Sequence, residues 1–466
     1  MRTTIRTLIR GDSGSTLVVV MLLAIIMLIT VASVFEFGAP DAGLATHAAR
    51  RSQALYLAEA GLARAYSWLE AQPDPPTHTS EFQPLGAGPD TLACGTYAVS
   101  VLPDPDNPAR LRKYFTIRSS ASAGDKTRVV ECDVMTQSYA QFIYFTEDER
   151  LPGSTTPVWF CSHDMLNGAL HTNGRLHLWG NPTFMGRVSS AYGGPDDPDP
   201  AHNPSFMFYN NDYYNHVESA AASNPPHDVP VFGSGYELGT TSIDLPDCLD
   251  DLRTLAAVGG LPITGNTEIE LSRLNGGSRM YGYLSYRPIG GSTWTDVQLS
   301  TINGVVFVTG QTRVMGILDG SLTIGSSLDM YITDDVRYRD SNADGPLPGC
   351  DDLLGLISER NIIVADNTPN RTDCTIHAHM MALNTSFQAQ NHRSGSPRGT
   401  LTVHGGIIQK FRGAVGTGTI RNGQVVISTG YAKNYRYDPR FNVIQPPGYF
   451  LTGKYYRLAW REVTNA

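Results

Sequence analysis

The stretch "GSTLVVVMLLAIIMLITVASVF", Gly14 to Phe35, decides the fold. Within it, Leu17 to Phe35 is the only uncharged apolar run long enough to cross a bilayer, spanning about 28 Å as a helix. Arg2, Arg6 and Arg10 precede the run and Asp12 is the only acid among them, so the positive-inside rule keeps the short N-terminus in the cytoplasm. The rest of the chain then lies outside. In a signal peptide, helical patterning has no reason to continue past the cleavage site, but here it does. After a break at Gly38, Ala39 and Pro40, the segment "ATHAARRSQALYLAEAGLARAYSWLEA" places Leu55, Ala58, Leu62, Ala65 and Leu69 at alternating spacings of three and four. That pattern is one apolar seam, suited to packing against sister helices. Prolines 73, 75 and 76 end it, so the helix stops at about residue 72.

Composition agrees with export. The 466 residues have room for two or three cores, and 46 Gly and 29 Pro against only 17% charged residues suit a turn-rich, mostly β ectodomain. A net charge of −9 and the lack of any basic stripe exclude nucleic acid as a direct partner. Residues 93–137 read as a small antiparallel β head, with strands in "GTYAVSVL", "KYFTIRSSAS" and "KTRVVECDVM" separated by turn-forming segments. Cys94 and Cys132 fall at opposite ends of such a meander, which disfavours a bridge between them.

Residues 138–301 read as an irregular β-rich region. Gly168, Gly174, Gly180 and Gly186 recur every six residues, as in a chain turning through short strands. His171 and His177 flank one of these turns but lack a third metal ligand. "SFMFYNNDYYNHVES" is an aromatic and Asn cluster that suits loop packing or a sugar-binding platform. A capping helix is expected near 247–257, with Asp247 as N-cap and Gly259 as its stop. From Ile302 the chain becomes a series of short β-branched runs bounded by Gly, Asp or Asn, each too short to bury a face alone. Stacking solves that problem, so 302–463 is expected to be a β-solenoid-like domain. Cys350 and Cys374 are one coil apart at 24 residues, and superposed coils would bring them within disulfide range.

Three features could carry chemistry. "DSNADGPLPGCD" fits a calcium loop with Asp340, Asn342, Asp344 and Asp351 as oxygen ligands; the cofactor expectation is none, with calcium the leading candidate should there be one. His377 and His379, two apart in a strand, could meet His404 from a neighbouring coil as a zinc site. Asp334 and Asp335 are the candidate acids of a polysaccharide-cleaving enzyme, although adjacent strand residues face opposite sides. No nucleophile motif, phosphate loop or dinucleotide fingerprint accompanies them, so the chain is expected not to be an enzyme.

The charged leader, Gly14, Ser15, Thr16, the apolar span and "ALYLAEAGLARA" together resemble the N-terminus of PilX-type minor pilins, a branch of the type IV pilin-like proteins. The resemblance implies cleavage by a prepilin peptidase between Gly14 and Ser15. It also implies a helix that rests in the membrane before assembly and then packs with other pilin-like subunits. Two residues depart from the pilin pattern: Ser15 replaces the usual first Phe, and Val19 stands where major pilins carry Glu. The latter points to a minor subunit. The block from "GALHTNGRLHLWGNPTF" to "RLAWREV" is similar to an uncharacterised bacterial extracellular β domain that follows PilX-like leaders. The expectation is a minor pilin or pseudopilin-like subunit of a type IV pilus-like filament or secretion system. It would pass from the bacterial inner membrane to the pilus or cell surface and display its β domain to a glycan or protein ligand. The alternative is a polysaccharide-binding or polysaccharide-cleaving β-helix protein held by an uncleaved N-terminal anchor.

Overall fold

A computed structural model describes residues 13–72, 74–92, 94–107, 112–162, 164–192, 206–208, 228–421 and 424–463. The aromatic and Asn cluster after Phe208 lies outside these residues. The described chain is mostly β with a long N-terminal helix, and it divides into two compact units. One comprises Met1–Pro108, Tyr114–Met135 and Tyr455–Ala466, the other Ala109–Lys113 and Thr136–Lys454.

In the first unit the helix is continuous from Ser13 to Glu70, with no break at Gly38–Pro40. A single proline costs a helix about 3 kcal/mol, which the long hydrogen-bonded runs on either side outweigh. Three strands, Gly95–Pro103, Tyr114–Ala123 and Lys126–Ser138, pair antiparallel in the expected meander, with Val99 opposite Ser119 and Ile117 opposite Cys132. Alternation sends Tyr97, Val99, Val101, Phe115 and Ile117 to one buried face, and the helix covers that face.

This covering corrects the reading of the seam. Ala58, Leu62, Ala65 and Leu69 are buried in the head's own core and Leu55 packs at its margin, so the seam is not free for sister helices. An apolar stripe records that a face is buried without recording against what. Gly61 sits at the closest approach. A Cβ there would lie 2.3 Å from Ser119 Oγ and 2.8 Å from Tyr97 Cδ2.

The sheet is wider than the sequence suggests. Asp90–Leu92 adds one edge and Leu451–Val463 the other, beside Lys126–Ser138. Residues 451–463 therefore leave the domain assigned to 302–463. Tyr455 enters the head core, while Arg461 pairs with Glu131 at 2.7 Å and Asp133 at 2.5 Å.

The second unit is built from parallel strands stacked in register. The run from Val305 shows the plan: Val305–Thr309 enters a first stack, Thr312–Leu318 passes through a second and a third, and Ser321–Ser326 returns to lie on Val305–Thr309. The corner between second and third stacks falls at Gly316, where φ is +109° and a Cβ would lie 2.3 Å from the Leu271 carbonyl oxygen. Only glycine fits there.

Stacking extends beyond 302–463 in both directions. One unbroken column of paired positions in the first stack runs Leu261, Val306, Ile324, Leu356, Met380, Ile407, Tyr144, Leu170, Val188, Tyr236. Within the described part of 138–301 the strands are regular: Phe142–Asp148, Ala169–Thr172, Val188–Ser190 and Tyr236–Leu238 are layers of this column. The six-residue glycines fall between these short strands. The column is also out of chain order. The chain starts at its middle with Phe142–Asp148, builds to one end, returns to the other end and stacks back until Pro397–Phe411 meets Phe142–Asp148. The return passes through helix Asp250–Ala257, capped by Leu249 instead of Asp247 and stopped before Gly259 at φ +88°. Leu252 and Ala256 anchor it in the core.

Candidate functional sites

Two features stand out, one in each unit. In the first, Thr16–Ser33 is an 18-residue helical window long and apolar enough to cross a membrane, and none of it is buried. Leu17, Met27 and Leu28 are 63%, 73% and 74% exposed, whereas the Ala54–Leu69 part of the same helix is clothed by the head sheet. Water does not tolerate such an apolar cylinder unpartnered.

In the second unit the second stack lacks a layer. Phe387–Ala389 pairs back with Ile362–Val364, and Phe160–Cys161 pairs onward with Leu176–Trp179, but no described pairing joins Phe387–Ala389 to Phe160–Cys161. Between Phe411 and Tyr431 the chain instead leaves as a hairpin, Gly416–Arg421 against Gln424–Arg436. The first stack stays continuous at this level through Ile407 and Tyr144. The missing layer leaves a cavity of about 360 Å³ walled by Tyr144, Trp159, Phe160, Trp179, Tyr431 and Tyr435.

Side chains satisfy the interrupted strand edges. Arg412, 2% exposed, donates from Nη1 to Glu149 Oε2 and to the Val158 carbonyl, each at 3.0 Å, and from Nη2 to the Trp159 carbonyl at 3.3 Å. Its guanidinium lies 3.5 Å from the Phe160 ring centroid. Gln409 occupies a column position that holds Ser326, Ser358, Thr146, Thr172 and Ser190 in other layers. Its carbonyl accepts from the Phe387 N–H at 2.9 Å and its amide donates to Tyr144 Oη at 2.6 Å. Lys433 Nζ donates to Asp164 Oδ1 at 2.8 Å and Oδ2 at 2.9 Å, and Asp164 also accepts from the Cys161 N–H. Burial pushes both the Tyr435 phenol and the Cys161 thiol up. The only sequence signal for this break was the glycine-rich "RGAVGTGTIRNG", Arg412 to Gly423.

The other predicted residues are placed elsewhere. In the calcium candidate, Ser341–Asn342 pairs with Gly345–Pro346 as a tight hairpin. There Asn342 Oδ1 accepts from the Asp344 N–H at 2.8 Å, Asp344 pairs with Arg436 at 3.1 Å, and Asp351 points to solvent. These oxygens serve the hairpin and an arginine instead of converging as a ring. Among the described residues no group of three His, Cys, Asp or Glu is placed to hold a metal. Cys350 and Cys374 are separate thiols, as are Cys94, Cys132, Cys161 and Cys248. The 24-residue offset holds at Gly355 and His379, but Ile376 lies opposite Val336 because 339–352 is an excursion outside the stack. Cys374 therefore does not meet Cys350.

The histidines separate for a related reason. His377 belongs to the third stack and His379 to the first, with the corner between them. His377 meets His404 edge to face with centroids 4.9 Å apart, and its Nδ1 accepts from the Tyr338 N–H. His379 bonds Tyr449 Oη at 2.6 Å and the Phe142 carbonyl at 3.0 Å. Burial holds both imidazoles down to about 3, with His404 adding to the effect at His377. His171 bonds Ser189 and Asn173 in the first stack, while His177 lies in the Leu176–Trp179 strand against Trp159. Asp334 accepts from the Asp335 N–H, and Asp335 is held by the Thr375 N–H and Arg337, so the two acids do not converge. Gly14 and Ser15 lie in the first turn of the Ser13–Glu70 helix.

Residues 110–192 match a family described as Domain of unknown function (DUF4900). No curated protein matches the chain. Among solved structures, the competence-associated pilin ComZ from Thermus thermophilus aligns at 12% identity over 89% of this chain and 97% of that one, with a TM-score of 0.35. A likeness that loose carries no argument here.

Proposed function

We propose that this chain is a minor pilin or pseudopilin-like structural subunit of a type IV pilus-like filament or secretion system, displaying its β units outside the cell for assembly or adhesion. The observation that carries this reading is the division of one helix into a bare apolar half, Thr16–Ser33, and a half sheathed by its own head. The bare half rests in the inner membrane before assembly and packs among other pilin-like helices afterwards. The packing surface is the Leu17–Val31 region instead of the Leu55–Leu69 seam. The PilX-like leader supports a prepilin peptidase acting between Gly14 and Ser15. The second unit is read as a β-solenoid, a reading supported by three parallel stacks visited in turn. The reading assigns the protein no catalysis.

N-terminal sequencing of the protein purified from its native envelope tests the proposal. Ser15 as first residue is the expected result. Retention of Met1 would overturn it in favour of a permanently anchored surface protein.

A further inference from the structure

We propose that the 339–352 excursion of the second unit is an acid-released strap, held down on neutral His404 and let go when that imidazole takes up a proton. The excursion is pinned at its base and rests on one ring at its tip. At the base, Asp352 accepts from the Gly320 N–H at 2.6 Å and the Asp340 N–H at 3.3 Å, and Arg440 donates to the Cys350 carbonyl at 2.7 Å. At the tip, Gly345 lies on His404, where a Cβ would come within 2.8 Å of Nδ1. A hairpin this short has no stability apart from the surface it covers. The strap belongs wholly to the second unit, so it stands apart from the filament reading.

Beneath the tip lie two imidazoles in consecutive layers, His377 opposite His404, 1% and 2% exposed. The Nε2 of each has no hydrogen-bond partner among the described residues. His377 Nδ1 accepts from the Tyr338 N–H at 3.2 Å, so its proton sits on Nε2. A metal would need that nitrogen bare, which excludes the pair as a metal site. His404 bonds the Ala343 backbone, and since its Nε2 has no partner that bond runs through Nδ1, leaving Nε2 to take up a second proton. Two buried N–H donors, on His377 and His404, would then lack an acceptor.

The charges around the pair are already matched. Arg436, opposite His404 in the next layer, pairs with Asp344 of the hairpin at 3.1 Å. Arg440 is held by Asp438 at 2.7 Å, and Arg337, beside His377, by Asp335 at 2.5 Å. Asp344 is 85% exposed and therefore screened. Tyr338 and Cys350 stay neutral, since burial pushes both up. No acid is left to compensate a buried imidazolium, which gains water only by lifting the hairpin. Burial, reinforced by Arg436, accordingly holds the His404 imidazole below its ordinary value of 6.5. The strap is therefore whole above about pH 6.5 and loosens as pH falls.

The test is hydrogen exchange of the full chain in detergent, read by mass spectrometry and corrected for the intrinsic pH dependence of amide exchange. The reporters are the Leu347 and Cys350 amides, which donate to the Asp340 and Leu347 carbonyls, with the stacked strand Leu353–Ser358 as reference. Protection of the strap should fall at least about tenfold from pH 7 to about pH 4.5 while the reference holds, and two pH units below 6.5 allow up to about a hundredfold. His404→Phe, which keeps a ring but cannot take a proton, should remove the pH dependence. Gly345→Ala, at φ +120°, should unprotect the strap at both pH values while leaving both histidines in place. The proposal is overturned if corrected protection of the strap is the same at both pH values, or if Leu353–Ser358 loses protection in parallel. It is equally overturned if His404→Phe keeps the parent's pH dependence or if Gly345→Ala protects the strap as well as the parent does at pH 7.

Discussion

Substituting Gly61 distinguishes a helix that leans on its head from one that stands free. On an isolated helix Gly→Ala is stabilising by about 1 kcal/mol and Gly→Val by less, because glycine has the most backbone freedom to lose. Here the new Cβ would lie 2.3 Å from Ser119 Oγ, 2.8 Å from Tyr97 Cδ2 and 3.1 Å from Val99 Cγ2. Ser119 Oγ has no hydrogen-bond partner and can rotate away without losing one. The Tyr97 ring is 1% exposed and has nowhere to go. Overpacking of this kind costs about 1–3 kcal/mol, so Gly61→Ala should come out neutral to about 2 kcal/mol destabilising. Gly61→Val carries two further methyls into the same wall, and a loss of about 3 kcal/mol is expected. Hydrogen exchange read by mass spectrometry over Gly95–Pro103 and Tyr114–Ala123 isolates this unit. The valine variant should exchange about a hundredfold faster at the slowest amides, since each 1.4 kcal/mol is tenfold. If both variants instead slow exchange, propensity has won and the helix is not seated on this sheet.

Leu69→Ala empties a fully buried site at the end of the seam, so the head should lose about 2–5 kcal/mol by the same exchange measurement, with the second unit unaffected. Arg412→Met leaves Glu149, which is wholly buried, without its cation. Unfolding of the second unit should move by about 3–5 kcal/mol, and adding Glu149→Gln should recover part of that loss. Folding lowers the His377 and His379 pKa values from 6.5 to about 3, so the unfolded chain takes up protons first on acidification. Stability from these groups is therefore whole above about pH 6.5 and is lost as pH falls toward 3. The urea midpoint of the second unit should drop between about pH 6.5 and pH 4, and His379→Gln should flatten that slope.

Features written locally in the chain were legible in its sequence. The apolar run at Leu17–Phe35, the three head strands and the helix near Asp250 each follow from residue pattern within one short stretch of chain. Partners were not legible. The Leu55–Leu69 spacing announces a buried stripe, yet nothing in it says that Tyr97 and Ile117 supply the other side. Parity along a strand places His377 and His379 together only if the strand is straight, and a corner falls between them. The 24-residue spacing of Cys350 and Cys374 fails because 339–352 leaves the stack. The cavity is the least legible feature, since it is made by a layer that is not there. Its trace is a glycine-rich interruption at 412–423 between two β-branched runs, together with a glutamine, Gln409, at a position that carries small residues in the other layers.

The out-of-order column imposes a timetable on a chain that is made from its N-terminus onward. Phe142–Asp148 emerges early, yet one of its two neighbours, Ile407–Phe411, follows more than 250 residues later. The head waits longer still, for Leu451–Val463 to shield Lys126–Ser138. Until then both half-built sheets present open borders to every other newly made copy. A holdase that masks strand borders is accordingly the kind of helper this architecture calls for, and its loss should show first as aggregated chains, before any defect in the finished molecule.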